Sequence, residues 1–524
     1  MNDPLFPSRT ARAAAVVPAA WLAAFFAAPL VAMLVTFVRL DDVVRVASRD
    51  STWRVAWFSA WQAAVSVAAT FVVAAPVTWL VGRHDFRGRR ALRAVSTVGF
   101  LLPSVVVAAA FLALLPRSWQ YTPWAVVLAH AYFNVAVVVR VVGARLESFD
   151  DRQTAAARTL GAAPAYAAGS IAWPFVRGAV AAAAGIVFIY CFTSYAVVRL
   201  LGGPQRNTLE SDIALRAFGI GDIPAATVLS VVQVLMILLA VYALRVAAGG
   251  DAVAARAARV VLAPVAAHRR WIAALTAAVT VVFVSTPLVA VFWKSLRVGD
   301  QMSLAAWRAV SGGDVASSIV ASLRTALVAG IIGTVLAAAT TLAVVRLGTG
   351  GRWLDAASIV PLAVSPVTLG LGLVITFDSG WLDWRANWWF VAVAHTLVAF
   401  PLAVRVLLPA WRAVPRGLHA AAAVLGASDR RRIVDVDLRL ARRGLVAALG
   451  LVVAVSLGEF GAASLLSRRG TETMPVAVSR LLERTGDTVR AQAFVLATVL
   501  VIACVAALFV VELALGRSRR AARR

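Results

Sequence analysis

The chain has 524 residues, 61% of them hydrophobic, a mean hydropathy of +0.84 and a formal net charge of +26. That apolar share lies far outside the range of soluble globular domains, so the chain reads as a membrane protein.

Crossing a hydrocarbon layer takes about 20 apolar residues per helix, and the first such run is 15–38. It follows Arg9 and Arg12 and has no convincing cleavage site before the charged stretch 40–50, so it reads as an uncleaved first helix. Runs at 59–82, 94–115 and 124–143 come next, the last carrying His130 and Asn134. A long Arg-rich connection, 146–178, leads to runs at 179–199, which contains Ser194, and 224–246. After an Arg-rich linker at 247–270 a second set follows at 271–293, 318–345, 355–377, 386–409, 445–467 and 489–515. His395 lies in the fourth run of this set and Glu459 in the fifth, and the connection between them spans 411–444. The runs are continuously apolar, without the alternation that barrel strands need. The expected fold is all-α and polytopic, with about 12 transmembrane helices.

If the N-terminus is cytoplasmic, the majority of the 51 Lys and Arg fall on the cytoplasmic side, as does the tail GRSRRAARR. That is the positive-inside pattern. The charge therefore reads as topology and contact with membrane lipid, not nucleic-acid binding. Both termini are expected in the cytoplasm of a multi-pass plasma-membrane protein. Cys191 and Cys504 lie in apolar runs and form no disulfide framework, and no metal-ligand spacing, cofactor motif or catalytic cluster is present.

The chain repeats itself. TAAARTLGAA (154–163) returns as HAAAAVLGAS (419–428), and AHAYFNVAVVVRV (129–141) as AHTLVAFPLAVRV (394–406), both 265 positions later. Upstream, 83–107 aligns with 346–370 at an offset of 263, pairing Pro103 with Pro366. Two tandem six-helix halves, 1–246 and 271–524, follow from this register, with the linker 247–270 between them. Each alanine run falls in the long connection between the fourth and fifth helices of its half. Alanines favour helix and glycine ends it, so each loop should carry a short helix with a bare small-residue face.

These loops resemble the signature of the integral-membrane permease subunits of binding-protein-dependent ATP-binding cassette importers: Glu-Ala-Ala, three residues, Gly, about nine residues, Ile, one residue, Leu-Pro. In the first half Ala156, Ala157, Gly161, Ile171 and Pro174 match; in the second, Ala421, Ala422, Gly426, Val436 and Leu438. The signature glutamate is replaced by Ala155 and Ala420, and Arg439 stands where proline is usual. The resemblance covers about 55–245 and 318–512. It implies that Ala156, Ala157, Leu160, Gly161 and Ala162, with Ala421, Ala422, Leu425, Gly426 and Ala427, form coupling helices for a separate ATPase. Two copies of that ATPase and one extracytoplasmic substrate-binding protein would be the partners. A phosphate-binding loop needs Gly-Lys-Ser/Thr, and the only lysine, Lys294, sits in Trp-Lys-Ser, so ATP hydrolysis belongs to another chain.

Polar groups within the apolar runs are candidates for the translocation path or gate: Glu459, its counterpart Ser194, and His130, Asn134 and His395. An ionised acid near a bilayer centre costs about 2.5–3.5 kcal/mol. For the histidines and Asn134, hydrogen bonding between helices is the competing reading. A gradient-driven secondary transporter shares the twelve-helix duplicated plan but normally buries more ionisable groups. The stretches 188–218 and 456–482 resemble thiamine permeases, and fused twelve-helix chains are usual among thiamine and ferric-iron importers. Thiamine ranks first as solute, ferric iron second, and polyamine or an oxyanion behind.

Overall fold

The computed structural model describes residues 8–203, 206–247, 262–379, 382–468 and 470–521. Most of the expected linker 247–270 and the last three residues of the tail lie outside the described residues. The described chain is helical, with three two-residue strand pairs, of which His84–Asp85 against Ala263–Pro264 is parallel.

Ten helices among the described residues are long and apolar enough to cross a membrane: Arg9–Phe37, Asp50–Arg83, Pro123–Glu147, Pro164–Phe192, Ile223–Leu244, Ala267–Ser295, Gly313–Leu347, Trp389–Arg412, Asp429–Gly458 and Asp487–Val511. The runs expected at 94–115 and 355–377, the third of each half, are not single straight spans. The first divides into Arg89–Ser96, Val98–Leu101 and Ser104–Leu114. The second bends by 99° between Arg352–Ala363 and Pro366–Phe377, and counting that pair as one span brings the total to eleven. The prolines that align in the two halves cause both breaks. Proline has no N–H to continue the helical ladder and drives the residue before it out of the helical region. Leu102 accordingly sits at ψ 142° before Pro103, and Ser365 at ψ 150° before Pro366. The runs expected at 179–199 and 445–467 also break, after Phe192 and after Gly458.

The chain forms two compact units that do not follow the halves in sequence. One comprises Met1–Val43, Ile213–Val228 and Ser295–Arg524; the other comprises Val44–Asp212 and Leu229–Lys294. In the former, Leu22 and Phe26 of the first helix join a core of Leu369, Leu373, Phe390, Leu397 and Val452. In the latter, the Tyr132 hydroxyl donates to Val284 O at 2.9 Å and its ring lies 5.5 Å from Phe283, joining the fourth helix to the Arg270–Ser295 helix. The opening helix of each half therefore packs in the unit formed mainly by the other half.

Within a unit, close approach depends on small residues, because lipid tails offer helices no hydrophobic drive to associate. A Cβ on Gly444 would stand 2.9 Å from Ala410 Cβ, where the Arg439–Gly458 and Trp389–Arg412 helices meet. Gly444→Leu should destabilise the protein by about 1–3 kcal/mol through overpacking, read as a lower thermal midpoint in detergent. Gly417→Ala, whose Cβ would meet nothing within 4 Å, should leave the midpoint unchanged or slightly raised.

Candidate functional site

Each alanine run does form a short helix. In the first loop it is Asp151–Thr159, capped by the Asp150 carboxylate, which accepts from Arg152 N–H at 3.0 Å. In the second it is Arg416–Val424. Both end the same way: Gly161 N–H donates to Arg158 O and Ala162 N–H to Ala157 O, each at 3.0 Å; Gly426 N–H donates to Ala423 O at 3.0 Å and Ala427 N–H to Ala422 O at 2.9 Å. This paired closure requires a left-handed residue after the helix, and Gly161 and Gly426 adopt φ +89° and +77°. A Cβ at either would meet nothing within 4 Å, so the demand for glycine is conformational rather than steric.

The sharp turns leave apolar tips in the open: Leu160 is 89% exposed, Val424 88% and Leu425 86%. Ala156 and Ala421 are exposed, and Ala157, Ala162, Ala422 and Ala427 are half-buried. An aliphatic side chain of this size gains about 1.5–3 kcal/mol on full burial. Three such side chains held out on turns flanked by charges make a surface suited to a protein partner.

Each loop is tied to the end of the second helix of its half by one arginine. Arg83 donates to Leu146 O at 3.3 Å and Phe149 O at 3.1 Å and pairs with Asp151, the first residue of the loop helix. Arg145 lies 3.7 Å above the Phe175 ring and donates to Phe175 O at 2.9 Å. In the second half Arg346, whose side chain is 1% exposed, bridges Asp429 at 2.8 Å and Asp437 at 3.0 Å. His419 of the loop helix stands 3.1 Å from the other oxygen of Asp437, and Thr10 hydrogen-bonds Asp429. The second loop is thus locked by a buried ionic network. In the first loop helix no residue is buried.

Arg83, Arg346, Asp429, Asp437 and His419 were not singled out by sequence reasoning. The signal existed, because Arg83 and Arg346 align at the same offset as Pro103 and Pro366. In a chain with this many arginines, however, one at a helix end looks like topology charge.

The polar residues of the apolar runs fall into two clusters. In the first half His130 Nδ1 lies 3.2 Å from Ser66 Oγ, and Asn134 Nδ2 donates to His130 O at 2.9 Å and meets Cys191 Sγ at 3.4 Å. Gln62 completes the seam by donating to Cys191 O at 2.8 Å. Ser194 is half-buried in the break after Phe192, and its N–H donates to Cys191 O at 3.4 Å. In the second half His395 Nδ1 lies 2.7 Å from Ser456 Oγ and Nε2 lies 3.1 Å from Glu459 Oε2.

Glu459 is not within a helix, as the sequence suggests, but in the break between Arg439–Gly458 and Gly461–Leu466. Its Oε1 accepts from Ala462 N–H at 2.9 Å and its Oε2 from Ala463 N–H at 3.0 Å. The carboxylate therefore pairs two of the N–H groups that every helix start leaves unsatisfied. The structure brings His395 and Glu459 together; it brings His130 and Asn134 together without Ser194. Among the described residues no group of three or more His, Cys, Asp or Glu is arranged to hold a metal ion.

Glu459→Ala removes the acceptor from two buried N–H groups and the partner from His395, each worth about 1–3 kcal/mol when left unmet. The thermal midpoint of this variant should fall well below wild type, and Glu459→Gln, which keeps one acceptor oxygen, should fall between them. Equal midpoints for the three proteins would refute the capping role.

The chain matches the family described as the binding-protein-dependent transport system inner membrane component over residues 74–249 and 330–520, one segment in each half. It is 27% identical to the thiamine transport system permease protein ThiP of Salmonella typhimurium over 82% of this chain and 83% of that protein. It is 25% identical to the protein of the same name from Escherichia coli over 99% of this chain and 98% of that one. A putative 2-aminoethylphosphonate transport system permease protein, PhnV of Salmonella paratyphi A, is 30% identical over 25% of this chain. With both segments matched over well more than half of its length, and an exposed glycine-closed loop helix in each half, the chain belongs to the family of membrane permease components of binding-protein-dependent importers.

Proposed function

We propose that this permease carries thiamine, delivered by an extracytoplasmic binding protein, and that two copies of a cytoplasmic ATPase drive it by docking on the helices Asp151–Thr159 and Arg416–Val424. The observation that carries the ATPase docking is the pair of loop helices, each closed by a left-handed glycine and each presenting bare aliphatic tips. The solute reading rests on full-length likeness to permeases named for thiamine. Both copies of the loop lie in one chain, so a single permease chain offers two docking helices and needs no second permease. The repeat boundary lies at 247–270, between halves 1–246 and 271–524. Both termini and both loops face the cytoplasm, which puts the arginine-rich segments on the side the positive-inside rule favours.

Glu459, His395, Ser194, His130 and Asn134 flank the translocation path in this reading. The two oxygens of Glu459 are already engaged, so its part is to hold the break open in shape rather than to bind solute in passing. Discrimination among solutes then rests with the binding protein.

Cysteine-accessibility labelling tests the orientation: single cysteines beside Gly161 and Gly426 should react only with reagent admitted from the cytoplasmic side. Gly161→Trp and Gly426→Trp each force an L side chain into a left-handed turn and crowd the docking face. Uptake in proteoliposomes should fall at least tenfold while the thermal midpoint of the permease drops only slightly, since the strain is confined to an exposed turn. Wild-type uptake with normal ATPase co-purification in both variants would remove the coupling assignment. The solute is decided by calorimetric titration of the cognate binding protein. Thiamine should bind, and ferric iron binding without thiamine binding would replace the solute while leaving the docking helices in place.

A further inference from the structure

A cleft of about 410 Å³ opens beside the second loop helix, lined by Arg346, Arg352, Arg412, Arg416, Trp411 and His419 together with Asp355 and Asp437. Its two carboxylates are already engaged: Asp437 pairs with Arg346 and lies 3.1 Å from His419 Nε2, and Asp355 pairs with Arg405. Arg352, Arg412 and Arg416 are exposed and have no carboxylate within ion-pair distance among the described residues. Trp411 is 3% exposed, and its indole N–H is a buried donor with no acceptor among the described residues. A buried donor is costly to leave unmet, and a ligand or water that reaches it removes that cost.

The first half shows how the chain handles this corner when it neutralises it internally. At the offsets of the repeat, Arg83 and Arg89 correspond to Arg346 and Arg352, while Glu147 and Asp151 correspond to Arg412 and Arg416. Glu147 pairs with Arg89 at 2.6 Å and with Arg93, and Asp151 pairs with Arg83. Burial and the neighbouring Arg89 charge lower the Arg93 pKa, the expected result of packing guanidinium groups together. In the second half both acids have become arginines and Leu146 has become Trp411. Where one half supplies its own anions, the other has removed them, added two cations and left an indole donor open.

We propose that this cleft binds a phosphate group, and that its occupant is the headgroup of an anionic phospholipid from the leaflet on the loop side. The position fits a headgroup. Arg346 and Arg412 lie in the last turn of the spans Gly313–Leu347 and Trp389–Arg412, at the boundary of the apolar layer. Arg352 begins a segment, Arg352–Ala363, that exposes Trp353, Ile359, Val360 and Leu362, an aromatic and aliphatic surface beside which acyl chains can lie. Arginine forks match phosphate oxygens in geometry as well as charge, and basic pockets between helices at the membrane surface bind phospholipid headgroups by this chemistry. Arg416 and His419 belong to the loop helix itself, so a bound headgroup would hold that helix against the membrane surface.

The full chain is purified in zwitterionic detergent, and lipid retention is measured by native mass spectrometry after adding equal amounts of phosphatidylglycerol and phosphatidylcholine. Wild type should retain phosphatidylglycerol in preference. The double variant Arg412→Glu with Arg416→Asp installs the carboxylates of the first half and should lose that retention at least tenfold. Arg352→Gln serves as a milder second variant if the double variant is not monodisperse, and should show an intermediate loss. Arg90→Glu, an exposed reversal in the first half, should change nothing. Inorganic phosphate is titrated separately by calorimetry: binding of phosphate with no preference between the two lipids would assign the cleft to a free anion and overturn the lipid occupant. Retention unaltered in the double variant overturns the proposal, as does unaltered retention accompanied by lost ATPase co-purification, which would assign the cleft to the protein partner.

Discussion

A chain in hydrocarbon must satisfy its backbone N–H and C=O groups from within itself. That constraint explains the helical fold, and it also shows at several places where a helix is interrupted. At Pro366 the break leaves new N–H groups, and Ser365 Oγ accepts from Thr368 N–H at 3.1 Å. At the start of Pro123–Glu147, Thr122 Oγ accepts from Ala125 N–H at 3.3 Å. At the break after Gly458 two N–H groups fall to one carboxylate, Glu459, backed by His395 and Ser456. The polar residues of the apolar runs are thus distributed according to where the backbone is interrupted or where helices must be joined.

The two halves solve the same mechanical problem with different chemistry. In the proposed docking each needs a rigid attachment between its second helix and its loop helix, because a docked ATPase could move the membrane helices only through parts that do not yield. The first half uses Arg83 against carbonyls and Asp151, with Arg145 stacked on Phe175. The second buries Arg346 between two aspartates and adds His419. Removing one partner of such a buried pair typically costs about 3–5 kcal/mol, since the charge left behind is uncompensated. The second attachment is therefore the more deeply buried of the two, and more is lost there when one partner is removed.

Duplication within one chain frees each copy to diverge. The histidine seam illustrates this: His130 turns to Ser66 on the second helix of its half, whereas His395 turns to Ser456 on the fifth. Cys191 occupies the position that corresponds to Ser456, and Ser194 the one that corresponds to Glu459. A two-subunit assembly of identical chains has no access to such asymmetry.

The sequence by itself determined the class of fold, the duplication, the register of the two halves and the two loop helices with their terminating glycines. These are local or periodic properties: apolar length, repeated spacing, and the need of a left-handed turn for a residue without Cβ. It also held the cause of the broken third helices in Pro103 and Pro366, although hydropathy alone made each a continuous run. Only the tertiary structure decided the rest. Which compact unit takes the opening helix of each half depends on packing between segments hundreds of residues apart. The same is true of Arg346 meeting Asp429 and Asp437, and of Glu459 turning from an apparent intramembrane charge into a helix cap. Whether a charge is free or paired is fixed by what folds beside it, and a linear pattern carries no record of that distance.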